Sequence, residues 1–162
     1  MKKLLLLVAF VASSFSFAQT GYVDAEFLLS KMPEVSAAET QLKNYTSNLQ
    51  ADITKAETNA NARFQALQQE AQSEGVTEER RQEIIKMAQQ LEGSLNTEKQ
   101  GAELKLATRR NELMQPIYDK LNAAIEKVAK AKGFKIIVSV SSVLFAEDSA
   151  NITEAVKTEM GL

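Results

Sequence analysis

The chain has 162 residues, with 19 basic and 21 acidic side chains, a net charge of −2, and neither cysteine nor histidine. Disulfides, thiol nucleophiles and histidine as general base or metal ligand are therefore excluded, and with them most hydrolytic and zinc enzymes. The slightly acidic balance does not indicate a nucleic-acid-binding protein. Because no glycine-rich phosphate-binding motif is present either, we predict a protein without cofactors that is not an enzyme.

The first 18 residues have the pattern of an exported protein. Lys2 and Lys3 precede an apolar run over residues 4–11, and small and aromatic residues then lead to Ala18. This order is typical of a secretory signal peptide cleaved after Ala18. A membrane anchor is the alternative, although the run is shorter than a bilayer-spanning helix requires. Cleavage leaves 17 basic and 21 acidic residues, a net charge of −4.

A strand is predicted at the start of the mature chain, within GYVDAEFLLSKMPE, residues 21–34. Tyr22 and Val23 form an apolar pair, after which the pattern turns to helix. A lone strand needs a partner, and nothing strand-like follows for about a hundred residues. The position of that partner determines the architecture.

A helical hairpin arm is predicted over residues 35–115, where strong helix formers such as Ala, Gln, Glu, Lys and Leu dominate. Near its middle, Gly75 can end the first helix with a positive φ, and Thr77 can cap the second. The tip of the hairpin is therefore expected near residues 73–77.

Each helix of the arm carries an apolar stripe with spacings of three and four residues, which repeats every 11 residues. Lys99 and Arg110 are the only polar residues assigned to the two stripes. The chain is expected to fold back at Glu74, with Pro33 and Pro116 placed symmetrically about it. The residue numbers of two facing positions should therefore sum to about 148. The predicted hairpin-packing residues are Leu42, Tyr45, Ile53, Phe64, Ile84, Leu91, Leu95 and Leu106.

The missing strand partner is predicted after Gly133, where apolar and other residues alternate over 134–140. A third strand is expected over 143–146, and a short helix over 153–160, capped by Asn151 or Thr153. Residues 19–34 and 116–162 would thus form a small β-rich body. So small a sheet leaves edges and apolar faces exposed, which favours oligomerisation. The candidate interface residues are Ile136, Val138 and Val140.

Three segments resemble the Skp/OmpH-like periplasmic chaperones of outer-membrane proteins: GYVDAEFLLSKMPE, PIYDKLNAAIEKVAKAKGFKIIV and VLFAEDSANITEAV. The resemblance covers the whole mature chain. It implies a mainly α fold with a small β part, in which long antiparallel coiled-coil tentacles extend from a trimerisation body. It also implies a homotrimer whose tentacles enclose a cavity for unfolded outer-membrane β-barrel proteins.

The leading functional hypothesis is then an ATP-independent holdase in the periplasm. Candidate client contacts are apolar residues off the stripe, namely Ile85, Met87, Leu104 and Met114; the alternative is that they pack against a neighbouring arm or are singly exposed. The competing function is a structural coiled-coil spacer of the envelope without a client. Because the tip SEGVTEERRQE mixes two arginines with four glutamates, lipopolysaccharide or membrane-surface contact is not predicted.

Overall fold

A computed structural model describes residues 19–162, and the predicted signal peptide, residues 1–18, lies outside the described residues. The elements in chain order are β1 (Thr20–Val23), α1 (Ala25–Lys31), α2 (Pro33–Gln72), α3 (Glu78–Ala131), β2 (Ile136–Ser139), two 3₁₀ turns (Val140–Ser142 and Asp148–Ala150) and α4 (Thr153–Met160). The predicted mainly α fold with a small β part is confirmed. The described chain divides into an arm, residues 33–117, and a body, residues 19–32 with 118–162.

The body contains a two-stranded parallel sheet, in which Tyr22 of β1 lies opposite Val138 of β2. The predicted pairing of the first strand with the strand that follows the arm is therefore confirmed. A β-carbon at Gly21 would lie 2.8 Å from Ile137 Cδ1 and 3.0 Å from the Ala150 carbonyl oxygen. Only glycine therefore allows β1 to approach both neighbours this closely.

One face of the sheet packs against helices α1, α3 and α4. The buried residues of this core are Val23, Leu28, Leu121, Ala124, Val128, Ile152 and Val156. Phe134 and Ile137 pack against the same core. The strict alternation predicted for 134–140 placed Phe134 on the same face as Ile136 and on the opposite face from Ile137. That prediction is wrong because β2 begins only at Ile136, so Phe134 is not part of the pleat.

Hydrogen bonds from side chains fix the helix ends of the body. Asp24 Oδ1 accepts from the Phe27 backbone N–H at 2.9 Å and caps α1. The predicted range of α4 is confirmed, but its predicted cap is only partly right. Asn151 Oδ1 accepts from Thr153 N at 2.9 Å, whereas the N-cap position itself is Ile152. Thr153 Oγ1 accepts instead from the Asp24 backbone N–H at 2.9 Å, which ties α4 to the end of β1.

The predicted third strand over 143–146 is absent among the described residues, and Val140 lies in a 3₁₀ turn rather than in β2. Ser139 caps that turn by accepting a hydrogen bond from the Ser141 N–H, and Val143 N donates to the Val140 carbonyl at 3.1 Å. Serine side chains that bond the nearby backbone compete with strand formation in this way.

The arm consists of α2 and the first part of α3, joined by a short turn. Gly75 has a φ of 84°, and Thr77 Oγ1 accepts from Arg80 N at 3.2 Å, so both predicted turn signals are confirmed. Pro33 is the first residue of α2, a position that proline tolerates, because no intrahelical donor is needed there. Pro116 lies inside α3.

The stripe of α2 is at least half-buried at every predicted position from Leu42 to Ala71. On α3 the prediction fails at one position. Arg110 is exposed, and Arg109 lies on the half-buried side, between Leu106 and Leu113. From Leu106 the half-buried stripe therefore continues to Arg109, three residues on, and then to Leu113, four residues on. The prediction had a step of four residues to Arg110 and then a step of three.

The polar contacts between the two helices place the hairpin about one residue per helix away from the predicted register. Polar pairs that bridge the two helices include Arg80 with Glu70 (2.7 Å), Lys99 with Glu57 (2.6 Å) and Arg109 with Gln41 (3.3 Å). Their residue numbers sum to 150, 156 and 150, all above the predicted 148. The physical reason is the turn, which centres on Gly75 because α2 ends at Gln72 and α3 begins at Glu78.

Candidate functional site

The second face of the body sheet, opposite the core, is apolar and uncovered in the single chain. Tyr22 and Val138 are half-buried there, and Ile136 is 51% exposed. A groove beside them continues along the segment that follows β2, and its lining residues are Thr20, Gly21, Tyr22, Val138, Ser142, Val143, Leu144, Phe145 and Ala146. None of these side chains is charged. We call this surface, together with Ile136 and Val140, the open sheet face.

Leu144 and Phe145 are the most exposed large apolar residues of the open sheet face. Their exposed fractions are 105% and 89%, so neither packs against its own chain. Contiguous exposed apolar surface of this kind marks an interaction site in a soluble protein. Sequence reasoning missed these two residues because it placed them in a third strand.

The three candidate interface residues lie on or beside this surface. Ile136 is exposed, Val138 is half-buried, and Val140 is 38% exposed at the start of the 3₁₀ turn. The outer edge of β2 has no strand partner among the described residues, since the sheet has only two strands. An open edge beside an apolar face is suited to pairing with another chain.

The candidate client contacts on the arm do not form one surface. Ile85, Met87 and Leu104 are 51%, 42% and 70% exposed, whereas Met114 is half-buried. Since successive residues of a helix are turned by about 100°, Ile85 and Met87 point to opposite sides of the stripe and Leu104 points away from it. Met87 lies in a shallow groove near the tip with Leu67 and Leu91.

The hairpin-packing residues predicted for the arm are at least half-buried. Ile84 is 5% exposed, and the other seven, Leu42, Tyr45, Ile53, Phe64, Leu91, Leu95 and Leu106, are half-buried. Ala60 and Ala102, at 4% and 8% exposure, are as buried as Ile84. Small residues at these positions allow close approach of the helices but bury little apolar area.

At the tip, acidic residues neutralise one of the two arginines. Arg80 binds Glu70 and Glu83, each at 2.7 Å, and the hydrogen bond from Arg80 lowers the pKa of the Glu70 carboxyl. The same two hydrogen bonds raise the pKa of Arg80. Arg81 is exposed and forms no ion pair within the described chain. The tip therefore does not present a basic surface.

Residues 19–162 offer no group of three or more acidic side chains placed to hold a metal ion. Within the same residues, none of the helices combines the length and the apolar character needed to cross a membrane.

The long helical hairpin of one unit and the exposed apolar sheet face of the other are typical of a protein that contacts other chains. Residues 19–160 match the family described as "Outer membrane protein (OmpH-like)". The chain belongs to the OmpH-like family, and the resemblance seen in the sequence is confirmed.

Individual proteins are similar to this chain along most of its length. An uncharacterized protein of Aquifex aeolicus is 28% identical over 157 residues, covering 97% of this chain and 93% of that protein. The chaperone protein Skp of Photorhabdus luminescens is 25% identical over 162 residues, covering 96% and 97%. A crystal structure described as an OmpH-like outer membrane chaperone, from Caulobacter crescentus, shares the fold with a TM-score of 0.66 at 16% identity. That match covers 91% of this chain and 86% of the other.

Proposed function

We propose that this chain is an ATP-independent holdase of the periplasm, which binds unfolded outer-membrane β-barrel proteins and prevents their aggregation. The observation that carries the proposal is the family match over residues 19–160. Similarity to the chaperone Skp of Photorhabdus luminescens along nearly the whole of both chains supports it. Export by a cleaved signal peptide at residues 1–18 belongs to the same proposal.

The proposed working form is a homotrimer joined through the open sheet face. Leu144 and Phe145 expose their side chains almost fully in the single chain, and burial of such groups stabilises association by about 1.5–3 kcal/mol for each side chain. The uncharged groove beside them supports a dry interface, since no buried charge would need a partner. The proposal that three copies assemble is based on the family resemblance.

In this trimer the arms would enclose the client. Helix α2 has 40 residues, which at 1.5 Å per residue gives a length of about 60 Å. An unfolded barrel protein lacks lipid to cover its apolar side chains, and a cavity keeps other copies away without binding any one segment tightly. The scattered apolar residues Ile85, Met87 and Leu104 would then provide weak contacts on different sides of each arm.

Release of the client needs no nucleotide in this proposal, since the sequence has no phosphate-binding motif. The proposed function also includes no catalysis, no nucleic acid and no binding to lipopolysaccharide or an anionic membrane surface. The acid-rich tip, where Arg80 is bound by Glu70 and Glu83, supports the last exclusion.

Light scattering tests the function. A urea-unfolded outer-membrane β-barrel protein is diluted into buffer with or without residues 19–162, and the scattering is followed over time. The proposal expects the chain to suppress scattering, and expects the Val138→Asp variant to suppress it poorly because a charge on the open sheet face disrupts assembly. An inert protein of equal mass is the control. If the chain leaves scattering unchanged, the holdase proposal fails and a structural spacer becomes the better account.

A further inference from the structure

Gln19 is the first residue of the mature chain when the proposed leader is cleaved after Ala18. The small residues Ser16 and Ala18 lie three positions and one position before that bond, a pattern typical of a signal-peptide cleavage site. The residue that cleavage exposes determines which reactions the new amino terminus can undergo. Glutamine matters here because its side-chain amide can react with its own α-amine.

An amino-terminal glutamine can close on itself to form pyroglutamate. The α-amine attacks the side-chain carbon Cδ, the bond from Cδ to Nε2 breaks, and a five-membered lactam forms. The side-chain nitrogen leaves as an ammonium ion, which carries away the positive charge of the terminus, so no oxidant or other reactant is consumed. Groups held together in one residue react far faster than separate molecules. Within a longer chain the same nitrogen is a resonance-stabilised amide, so only cleavage before Gln19 makes it nucleophilic.

The structure holds the carbonyl group of Gln19 and leaves the residue accessible. Gln19 is exposed, and its backbone C=O accepts from the Lys135 N–H at 3.0 Å, directly before the paired residues of β1 and β2. Ring closure uses only the α-amine and the side chain, so this hydrogen bond is kept. A β-carbon on Gly133 would lie 3.9 Å from Gln19 Oε1, an ordinary contact distance, so the side chain is not crowded by that turn.

The charge that the ring removes lies next to the open sheet face. Thr20 lines the uncharged groove of that face, and its Cα is about 3.8 Å from that of Gln19. An open amino terminus is mostly protonated at neutral pH. At the margin of a dry interface this charge would lose water without gaining an acidic partner from the groove, none of whose lining residues is acidic. Lys135, which bonds to Gln19 through its backbone, is basic as well.

We propose that Gln19 is a modification site, at which cyclisation to pyroglutamate removes the terminal charge from the edge of the open sheet face. The inference rests on the proposed function, which includes export and assembly through that face. The modified chain keeps the hydrogen bond from Lys135 and presents a neutral lactam N–H in place of the ammonium group.

Mass spectrometry of the exported protein tests the modification. The full-length chain is produced in the cell that encodes it and recovered from the envelope, and its amino-terminal peptide is sequenced. We expect the peptide to begin at Gln19 and to be lighter than its sequence by one ammonia. A Gln19 with a free α-amine overturns the inference. A chain that begins at another residue overturns it too, and also refutes the proposed cleavage site.

The effect on assembly is tested with one sequence in two chemical forms. Residues 19–162 are released from an amino-terminal fusion so that Gln19 has a free α-amine, and are compared before and after treatment with a glutaminyl cyclase. Treatment should lower the mass by one ammonia and raise the trimer association constant, measured by sedimentation equilibrium, several-fold. Gln19→Asn is the matched control, because its shorter side chain would have to form a strained four-membered ring. Treatment should change neither its mass nor its association constant.

The outcomes separate this inference from the proposed function. An unchanged mass after treatment means that Gln19 cannot cyclise in the folded chain, which overturns the inference. An unchanged association constant in the cyclised chain overturns the role at the open sheet face. If the exported chain suppresses aggregation in light scattering while its Gln19 stays open, only this inference fails. If neither form suppresses aggregation, the proposed holdase function fails, and the modification is decided by the mass alone.

Discussion

Replacing Phe145 with alanine separates assembly from folding, because the side chain is 89% exposed in the single chain and contributes almost nothing to its core. Truncation should leave the helices and the body of the subunit intact. In the proposed trimer, however, the ring is buried against a second copy, so the substitution removes apolar area from every interface.

The size of the effect follows from that burial. Complete burial of a phenylalanine side chain contributes about 1.5–3 kcal/mol, so three equivalent interfaces would lose about 5–9 kcal/mol. At tenfold for each 1.4 kcal/mol, the trimer association constant should fall roughly 10³- to 10⁶-fold. At micromolar concentration such a change converts a stable trimer into monomer.

Sedimentation equilibrium over a concentration series measures this change, and far-UV circular dichroism checks that helicity is retained. Leu104→Ala is the matched control, since Leu104 is 70% exposed but lies on the arm. It should leave the association constant unchanged. A Phe145→Ala chain with the same concentration dependence as the parent would refute the assignment of the open sheet face. A monomeric parent would refute the trimer itself.

Two further predictions concern the arm. Arg80→Gln removes the hydrogen bond that lowers the pKa of Glu70, so that pKa should rise toward its ordinary value in an NMR titration of the carboxyl carbon. Because the folded-state pKa of Glu70 is lowered, the stabilisation by this pair is present at pH values above the ordinary pKa of 4.5 and is lost as the pH falls below it. At such low pH the parent and the variant should have the same thermal stability. A Glu70 pKa unchanged by the substitution would contradict the assignment. For the register, cysteines at Ala60 and Leu91 should form a disulfide within one chain more readily than cysteines at Ala60 and Ala88; the reverse preference would restore the register predicted from the sequence.

Local signals in the sequence predicted much of the fold. The apolar stripes, Gly75, Thr77 and the range of α4 depend on neighbouring residues, and the structure agrees with each except at Arg110 of the second stripe. The pairing of β1 with β2 was also predictable, because each strand would otherwise lack a partner.

The errors arise where tertiary contacts compete with local patterns. Residues 143–146 have strand-like composition, but within the described chain no strand pairs with them, and Leu144 and Phe145 remain exposed. Thr153 looked like a helix cap, yet its hydroxyl accepts from Asp24, 129 residues earlier. The hairpin register depends on how many residues the turn takes up, and alanine-rich stripes allow several alignments.

The central claim is that the arms protect clients by enclosing them, and shortening the arms tests it most directly. Deleting residues 54–64 and 85–95 removes one 11-residue repeat from each helix, so both stripes and their pairing should survive. Each arm becomes shorter by about 16 Å, while the open sheet face, which lies in the body, is unchanged. Light scattering of urea-diluted barrel proteins of increasing size is the measurement, with sedimentation to verify that the shortened chain still assembles. We predict that protection is lost for large barrels before small ones. Equal protection of all sizes by the shortened and the full-length chain would contradict enclosure.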